Sequence, residues 1–122
     1  MTSPRMRRIN EVLREVVGAA ISSDLSDPRI GFVTVTSVET SPDLRTAKVY
    51  VSVLGNEEER EATLQGLRSS HGVLQSRIAA ETRMKRTPTV SFHYDDTIEQ
   101  GVRISRLLDE NPPEPDDTED SR

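Results

Sequence analysis

A break between two helix-like segments, at Ser70-His71-Gly72, restricts this chain to folds in which one helix directly follows another. Small residues and glycine at such a junction let backbone amides approach a ligand, and amides at a helix N-terminus carry partial positive charge. Phosphate is therefore the ligand that the break favours. The basic run Arg83-Met84-Lys85-Arg86 follows soon after it. Together, the break and the basic run predict nucleic-acid binding rather than catalysis.

The first half of the chain predicts one helix followed by a β-hairpin. Ser3-Pro4 is typical of a helix start, and apolar residues at helical spacing continue to an end near Ser23-Asp24. Residues 31–38 alternate and are β-branched, which predicts a strand. A turn at Ser41-Pro42-Asp43 leads into a return strand over residues 46–54. The return strand has an apolar face, to be buried, and a polar one, to be solvated: Ala47, Val49, Val51 and Val53 against Lys48, Tyr50 and Ser52.

The second half predicts two helices, a strand and a short terminal helix. Asn56 with Glu59 resembles a capping box, and the helix after the break is expected to end near Arg86, before Thr87-Pro88. Residues 90–94 alternate as a strand, and Thr97-Ile98-Glu99-Gln100 resembles a second capping box. The order α-β-β-α-α-β, plus a terminal helix, predicts an α+β domain with its helices on one face of a three-stranded sheet.

Charge is distributed unevenly along the chain. The formal net charge is −5, but residues 109–122 hold seven acids and one base, so the remainder has 14 acids and 15 bases. Most of those bases are arginine, which suits bidentate phosphate contacts. We therefore expect one domain over residues 1–108 and a disordered acidic tail over residues 109–122. The tail either only solubilises the protein or competes with RNA for the basic face.

Several classes of protein and site are disfavoured. The absence of cysteine removes disulfides and thiolate metal sites, and no apolar signal core or membrane-spanning run is present. A cytoplasmic protein is therefore expected. No nucleophilic triad order, P-loop or glycine-rich nucleotide fingerprint appears, so neither catalytic residues nor a cofactor are predicted. His93, Asp95 and Asp96 are too few for a good metal site, and acids that favour the start of the last helix are the simpler interpretation.

Three stretches resemble the ribosome-binding factor A family. They are Asp27-Pro28-Arg29-Ile30-Gly31, residues 41–52 (SPDLRTAKVYVS), and Tyr94-Asp95-Asp96 running into residues 99–104 (EQGVRI). The resemblance spans roughly residues 4–108 and implies a KH type II-like fold. Ordinary KH domains carry a GXXG loop at the helix junction, whereas this family has an Ala-x-Gly kink. Here the kink corresponds to Ser70-His71-Gly72; Ser is as small as Ala and can cap a helix, so we expect the kink to persist.

The resemblance also implies a function. The family consists of assembly factors of the bacterial small ribosomal subunit, without catalytic activity, that bind immature particles through ribosomal RNA. They assist maturation of the 5′ end of that RNA, matter most in the cold, and leave late in assembly, with ribosome-maturation GTPases acting on the same particle. A monomer without membrane association is expected. The alternatives are a generic phosphate-backbone RNA binder, a protein-interaction module and, less favoured, a metal-dependent nuclease.

The candidate RNA contacts are mostly cations, because the chain has few aromatic side chains for base stacking. Each has a structural alternative. Arg77, Arg83, Lys85 and Arg86 could form a solvated helix face paired to Glu81, and Arg5, Arg7 and Arg8 could be solvated arginines of the first helix. Arg29 could form a salt bridge in the loop after that helix, and Arg45 and Lys48 could keep a sheet edge soluble. His71 is as readily a surface histidine. The predicted contacts are Arg5, Arg7, Arg8, Arg29, Arg45, Lys48, Ser70, His71, Gly72, Arg77, Arg83, Lys85 and Arg86.

Overall fold

The computed structural model describes residues 3–97, which form three helices and three strands. The predicted order is confirmed over this part of the chain. The terminal helix expected after Thr97 and the acidic tail lie outside the described residues. None of the described helices is long and apolar enough to cross a lipid bilayer. The elements are α1 (Pro4–Asp24), β1 (Val33–Thr40), β2 (Thr46–Val53), α2 (Glu57–Ser69), α3 (His71–Thr82) and β3 (Thr89–Tyr94).

Helix α1 begins and ends where its sequence predicts. The Ser3 hydroxyl accepts a hydrogen bond from the Met6 N–H at 3.1 Å, and Pro4 occupies the first turn, where no N–H partner is needed. The buried side chains recur at helical spacing and face the sheet and α3: Leu13, Val17, Ala20 and Ile21.

The sheet has the order β1-β2-β3, with β1 antiparallel and β3 parallel to β2. Strand β1 starts two residues later than predicted because the loop before it is tied to α2, where the Gly31 N–H donates to Thr63 Oγ1 at 3.2 Å. It also runs on to Thr40, which pairs with Ala47 beside the hairpin turn. A register shift between Val35 and Ser37 marks a bulge at Thr36.

The helices cover one face of the sheet, as predicted. All four apolar residues of β2 (Ala47, Val49, Val51 and Val53) are buried, and Phe92 of β3 joins them in the core. The opposite face is more open: Lys48 is exposed, and Tyr50 lies half-buried with its ring 5.6 Å from that of His93. The core therefore lies between this single apolar face and the three helices.

The break between α2 and α3 is shorter than predicted. Only Ser70 leaves the helical path, at φ −93° and ψ 13°, whereas His71 and Gly72 form the first turn of α3. Ser70 also does not cap α3; its hydroxyl donates instead to the Gly66 carbonyl at 2.9 Å. The kink predicted from the sequence is present, but it consists of one residue whose side chain bonds to the preceding helix.

Helix α3 ends at Thr82 rather than near Arg86. Arg83 adopts the left-handed conformation, with φ 55°, which stops the helical hydrogen bonding four residues before the predicted end. Residues 83–88 therefore form a loop into β3. The basic run, expected on or just after this helix, lies in the loop that follows it.

Candidate nucleic-acid interface

The turn between β1 and β2 is closed by its own side chains. The Ser41 hydroxyl donates to Asp43 Oδ1 at 2.6 Å and accepts from the backbone N–H of Thr46 at 3.1 Å, and the Arg45 N–H donates to Asp43 at 3.1 Å. Hydrogen bonds from the Ser41 hydroxyl and then from the Arg45 N–H lower the pKa of Asp43. Leu44 takes the left-handed conformation, with φ 62°. These bonds hold Leu44 and Arg45 in defined positions.

The hairpin turn, the start of α1 and the loop after α3 enclose a cleft of about 600 Å³. We call it the basic cleft. The Thr89 N–H donates to the Arg45 carbonyl at 2.9 Å, which joins the turn to the end of the α3–β3 loop. The cleft therefore combines segments from three separate parts of the chain. Its lining consists of Arg5, Arg8, Ile9, Asp43, Leu44, Arg45, Met84, Lys85 and Arg86.

The charge of the basic cleft is largely uncompensated. Arg5, Arg8, Lys85 and Arg86 form no salt bridge with any residue between 3 and 97. Arg45 faces Asp43 at 3.9 Å between Nε and Oδ2, a long and exposed pair that contributes little stability. Five cations therefore share the cleft with one carboxylate among the described residues. An anion bound here would relieve the repulsion between the cations.

The dipole of α1 adds to this positive potential. The first turn of the helix contains no acid, and Arg5 and Arg8 lie near its positive end, where an exposed cation costs about 0.3–1 kcal/mol. A phosphate near these arginines removes this cost and is itself attracted by the positive end of the helix dipole.

Backbone strain is concentrated at the same place. Leu44 and Arg83 are the two non-glycine residues with positive φ between residues 3 and 97, and each lies in a loop that contributes to the basic cleft. The left-handed conformation costs a side-chain-bearing residue about 1–2 kcal/mol. Such strain is often found at functional sites, which agrees with the charge distribution.

The helix kink lies far from this cleft. Ser70, His71 and Gly72 are at the start of α3, whereas Lys85 and Arg86 follow its C-terminus. Twelve residues at the helical rise separate the two ends by about 18 Å. A single phosphate therefore cannot contact both the Gly72 amide and the basic loop. Lys85 and Arg86, two of the cations that were expected to act with the Gly72 amide, line the basic cleft with α1 and the hairpin instead.

Arg29 and Arg77 are held in salt bridges, the structural alternatives weighed for both. Arg29 Nη2 lies 2.7 Å from Asp27 Oδ2 and donates to Ser69 Oγ at 3.0 Å, so it joins the loop after α1 to the end of α2. Hydrogen bonds from the Arg29 side chain, then from its backbone N–H, lower the pKa of Asp27 to about 2.

Arg77 contacts acids of two helices. It pairs with Asp24, the last residue of α1, and donates through Nε to Glu81 at 2.9 Å within α3. Hydrogen bonding to Arg77, and then to Ser23, lowers the pKa of Asp24. The guanidinium therefore joins two helices, and its RNA contact stays a prediction.

The other predicted contacts line separate surfaces. Arg7 lies in a hollow of about 550 Å³ between α1 and β1, and Lys48 in one of about 500 Å³ beside the N-terminus of α1. Arg83 is exposed at the end of α3.

Sequence reasoning missed the uncharged part of the basic cleft. Ile9, Leu44 and Met84 are each half-buried and line the cleft. Its one acid among the described residues, Asp43, was not predicted either. An apolar residue inside the polar turn Ser41–Arg45 was the available signal, because such a residue has no local reason to be there.

The disfavoured metal interpretation gains no support from the described residues. No group of three histidine or acidic residues between 3 and 97 is arranged to hold a metal ion. Asp95 accepts hydrogen bonds from the hydroxyls of Thr36 and Thr97, each at 2.6 Å, and these bonds lower its pKa. Its carboxylate thus joins the end of β3 to the bulge of β1.

Comparison with known proteins identifies the family. The sequence model of the family described as ribosome-binding factor A matches residues 5–108. The chain belongs to this family. The matched region contains every residue of the basic cleft.

Solved structures agree with this assignment and with the α+β fold. The crystal structure of ribosome-binding factor A from Thermus thermophilus is 28% identical, with a TM-score of 0.66, and the match covers 73% of this chain and 93% of that one. The NMR structure of a Thermotoga maritima protein, described as a putative ribosome binding factor A, is 35% identical, with a TM-score of 0.70 and coverages of 81% and 94%.

A third match is a homology model of the Thermus thermophilus factor, fitted into the cryo-EM map of a 30S–RbfA complex. It is 29% identical to this chain, with a TM-score of 0.59, and the match covers 70% of this chain and 90% of that one.

Proposed function

We propose that this protein is a non-enzymatic assembly factor that binds immature small ribosomal subunits through their ribosomal RNA. It acts as a monomer in the cytoplasm and assists late maturation, including processing of the 5′ end of that RNA, on particles that also carry maturation GTPases. The basic cleft is its principal RNA contact. The observation that carries this assignment is the group of four cations without described partners (Arg5, Arg8, Lys85 and Arg86) in a family of ribosome-binding factors.

The chemistry of the cleft favours contacts with the RNA backbone. Arginine and lysine bind phosphate oxygens irrespective of sequence, so such contacts define orientation more than sequence preference. The aromatic side chains offer little for base stacking near the cleft: Phe92 is buried, and Tyr94 lies under the Arg60 guanidinium, 4.3 Å from ring to Cζ. Phe32 is 79% exposed but precedes β1, at the end of that strand away from the hairpin turn.

The 30S complex of the Thermus relative supports the choice of partner. The same fold, with RNA-binding charge in the matched region, is expected to bind the same class of particle. A lack of enzymatic activity accords with the acids near the cleft, because Asp43 is engaged by Ser41 and Arg45 within its own turn. The Asp95 carboxylate likewise accepts bonds from two threonines.

The first experiment separates the cleft from the rest of the surface. A double variant, Lys85→Gln with Arg86→Gln, removes two cleft charges from a loop without touching a helix. The matched control, Arg14→Gln with Arg122→Gln, removes two charges that are not among the predicted RNA contacts. Binding of each purified protein to small-subunit precursor RNA is measured by fluorescence anisotropy between 50 and about 300 mM salt.

The expected difference is large. Each lost phosphate contact lowers the slope of log K against log salt by about 0.7–0.9, so the cleft variant loses about 1.5 units. The control should keep a slope within about half a unit of wild type. An unchanged slope in the cleft variant, with normal circular dichroism, would contradict the assignment of the cleft.

The second experiment addresses the particle. Tagged protein is sedimented with cell extract, and its enrichment on immature small subunits over mature ones is measured. Primer extension on cells that carry the cleft variant as their sole copy should reveal more 5′-extended small-subunit RNA than in cells with the control. Equal sedimentation with both particles would argue against assembly work.

A further inference from the structure

The basic cleft contains an apolar surface that phosphate binding does not require. Ile9, Leu44 and Met84 lie half-buried in it, and we call these three side chains the apolar floor. They come from α1, the hairpin turn and the α3–β3 loop, the same segments that supply the cations. Ile9 also packs against the hydrophobic core, and a ligand that covers the exposed parts of the three side chains would remove apolar surface from water.

The position of Leu44 is the least expected feature of this floor. Glycine and asparagine are the residues that tolerate the left-handed conformation at a turn, whereas leucine there is strained. The turn nevertheless places this side chain in the cleft, with Ser41 and Asp43 holding the backbone on either side. Strain kept at a surface position is consistent with contact to a ligand.

The carboxylate of Asp43 indicates that phosphate does not fill the whole cleft. Asp43 lies next to Leu44, and its carboxylate, ionised at neutral pH like that of an ordinary aspartate, is held in the turn by bonds from Ser41 and Arg45. A carboxylate disfavours phosphate beside the hairpin and leaves that part of the cleft to a neutral group. The segments of α1 and of the α3–β3 loop contribute cations but no acid to the lining of the cleft.

Size and shape define the ligand further. The volume of about 600 Å³ lies within the range of roughly 300–1,000 Å³ found for sites that take one small molecule. Paired RNA keeps its bases stacked inside the helix, so it offers a cleft phosphates, sugars and base edges but no base face. An unpaired nucleotide offers a base that can leave the stack while its flanking phosphates stay on the backbone.

We propose that the basic cleft receives one unpaired nucleotide, with its base on the apolar floor and its flanking phosphates on the surrounding cations. The proposal rests on the proposed function, since it concerns the same cleft and the same RNA. It adds that the protein distinguishes a bulge or a loop from a continuous duplex. Preference for such a nucleotide comes from apolar contact with the base, and affinity for RNA in general comes from charge.

The test uses three labelled RNA hairpins of equal length and purified full-length protein. One hairpin is fully paired, one carries a single bulged nucleotide, and one carries an abasic bulge. Anisotropy titrations should give the bulged hairpin about fivefold to tenfold tighter binding than the paired one, the size expected when a base covers apolar surface. The abasic hairpin should bind like the paired one.

The floor variant is Leu44→Asn, because asparagine tolerates the left-handed conformation while removing the apolar side chain. It should lose the preference for the bulge, so that the bulged and the paired hairpins bind it equally. The control, Leu54→Asn, makes the same change at a side chain that is 76% exposed and lies outside the cleft, and it should keep the preference.

The outcomes separate this inference from the proposed function. Equal binding of all three hairpins by wild type, or a bulge preference that survives in the abasic probe, overturns the unpaired-nucleotide site. Retention of the preference in Leu44→Asn overturns it as well. An unchanged salt slope in the Lys85→Gln, Arg86→Gln variant instead overturns the proposed role of the cleft charges.

Discussion

Gly66→Ala should destabilise the protein although alanine is the better helix former. Gly66 is buried in α2, where the loop that carries the family motif Asp27–Gly31 packs against it. A Cβ atom at this position would lie 2.7 Å from Ile30 Cγ1 and 3.4 Å from Arg29 Cβ. The first distance is far below van der Waals contact, so the loop or the helix has to move.

The loop has little freedom to move away. Arg29 is bonded to Asp27 and Ser69, and the Thr63 hydroxyl donates to the Arg29 carbonyl at 3.3 Å while accepting from the Gly31 N–H. Overpacking at such a site costs about 1–3 kcal/mol. Replacing a helical glycine by alanine otherwise raises the free energy of unfolding by about 0.5–1 kcal/mol. The expected net loss in the free energy of unfolding therefore lies between about zero and about 2.5 kcal/mol.

Gly18→Ala is the matched control. Gly18 lies within α1, and a Cβ there would meet nothing within 4 Å, so this variant should gain about 0.5–1 kcal/mol. Urea unfolding followed by circular dichroism at 222 nm gives both values, provided that the m-values agree. A double-mutant cycle with Ile30→Ala, which removes the clashing atom, should recover most of the difference. If Gly66→Ala stabilises the protein as much as Gly18→Ala does, the steric reasoning is wrong.

Three further predictions use the same assays. Gly72→Ala should leave the affinity for precursor RNA unchanged if the basic cleft is the principal contact. A tenfold or greater loss of affinity in a folded variant would indicate that the RNA backbone contacts the kink. Arg83→Gly should raise the free energy of unfolding by about 0.5–1 kcal/mol, because glycine adopts the left-handed conformation without strain; a urea midpoint at or below wild type would contradict this. The folded pKa of Asp27, about 2, lies below its unfolded value, so its contribution to stability is complete above about pH 4 and disappears as pH falls towards 2. In Asp27→Asn the urea midpoint should therefore change less between pH 5 and 2.5 than it does in wild type. A wild-type dependence on pH over that interval would contradict this role of Asp27.

Local patterns predicted the elements well, because each depends on residues close in sequence. The start of α1 follows from Ser3 and Pro4, and that of α2 from the reciprocal bonds of Asn56 and Glu59. The apolar face of β2 followed from alternation alone. These features need no knowledge of the partner that covers them, so a single stretch of sequence contains the necessary information.

The errors have a different physical origin. The end of α3 depends on one residue, Arg83, in a conformation that its side chain disfavours, so propensity pointed to a longer helix. The start of β1 moved because Gly31 bonds to Thr63, which is distant in sequence. The Ser70 side chain does not cap α3, because its hydroxyl finds an acceptor in the last turn of α2 instead.

The candidate site was predictable in its residue types but not in its assembly. Charge and a shortage of aromatic residues pointed to phosphate, yet the basic cleft joins Arg5 to Lys85 across almost the whole described chain. Arg77 pairs with Asp24, 53 residues away in sequence, and that contact depends on the fold, whereas Arg29 pairs with Asp27 within its own loop. Sequence spacing alone could not reveal the distant Arg77 pair.

The two stretches of family resemblance within the described residues have different physical tasks. Asp27–Gly31 closes the fold: its salt bridge, its bonds to Thr63 and its contact with Gly66 attach the end of α1 to α2. Residues 41–52 do both tasks at once, because one half is core strand and the other half is the turn that enters the basic cleft. The bonds that close the turn also position Leu44 and Arg45, so the hairpin register and the shape of the cleft cannot vary independently. A site built from this turn is stable only when β1 and β2 hold the turn in place. This accounts for a stretch of family resemblance that continues from the turn into the core strand β2.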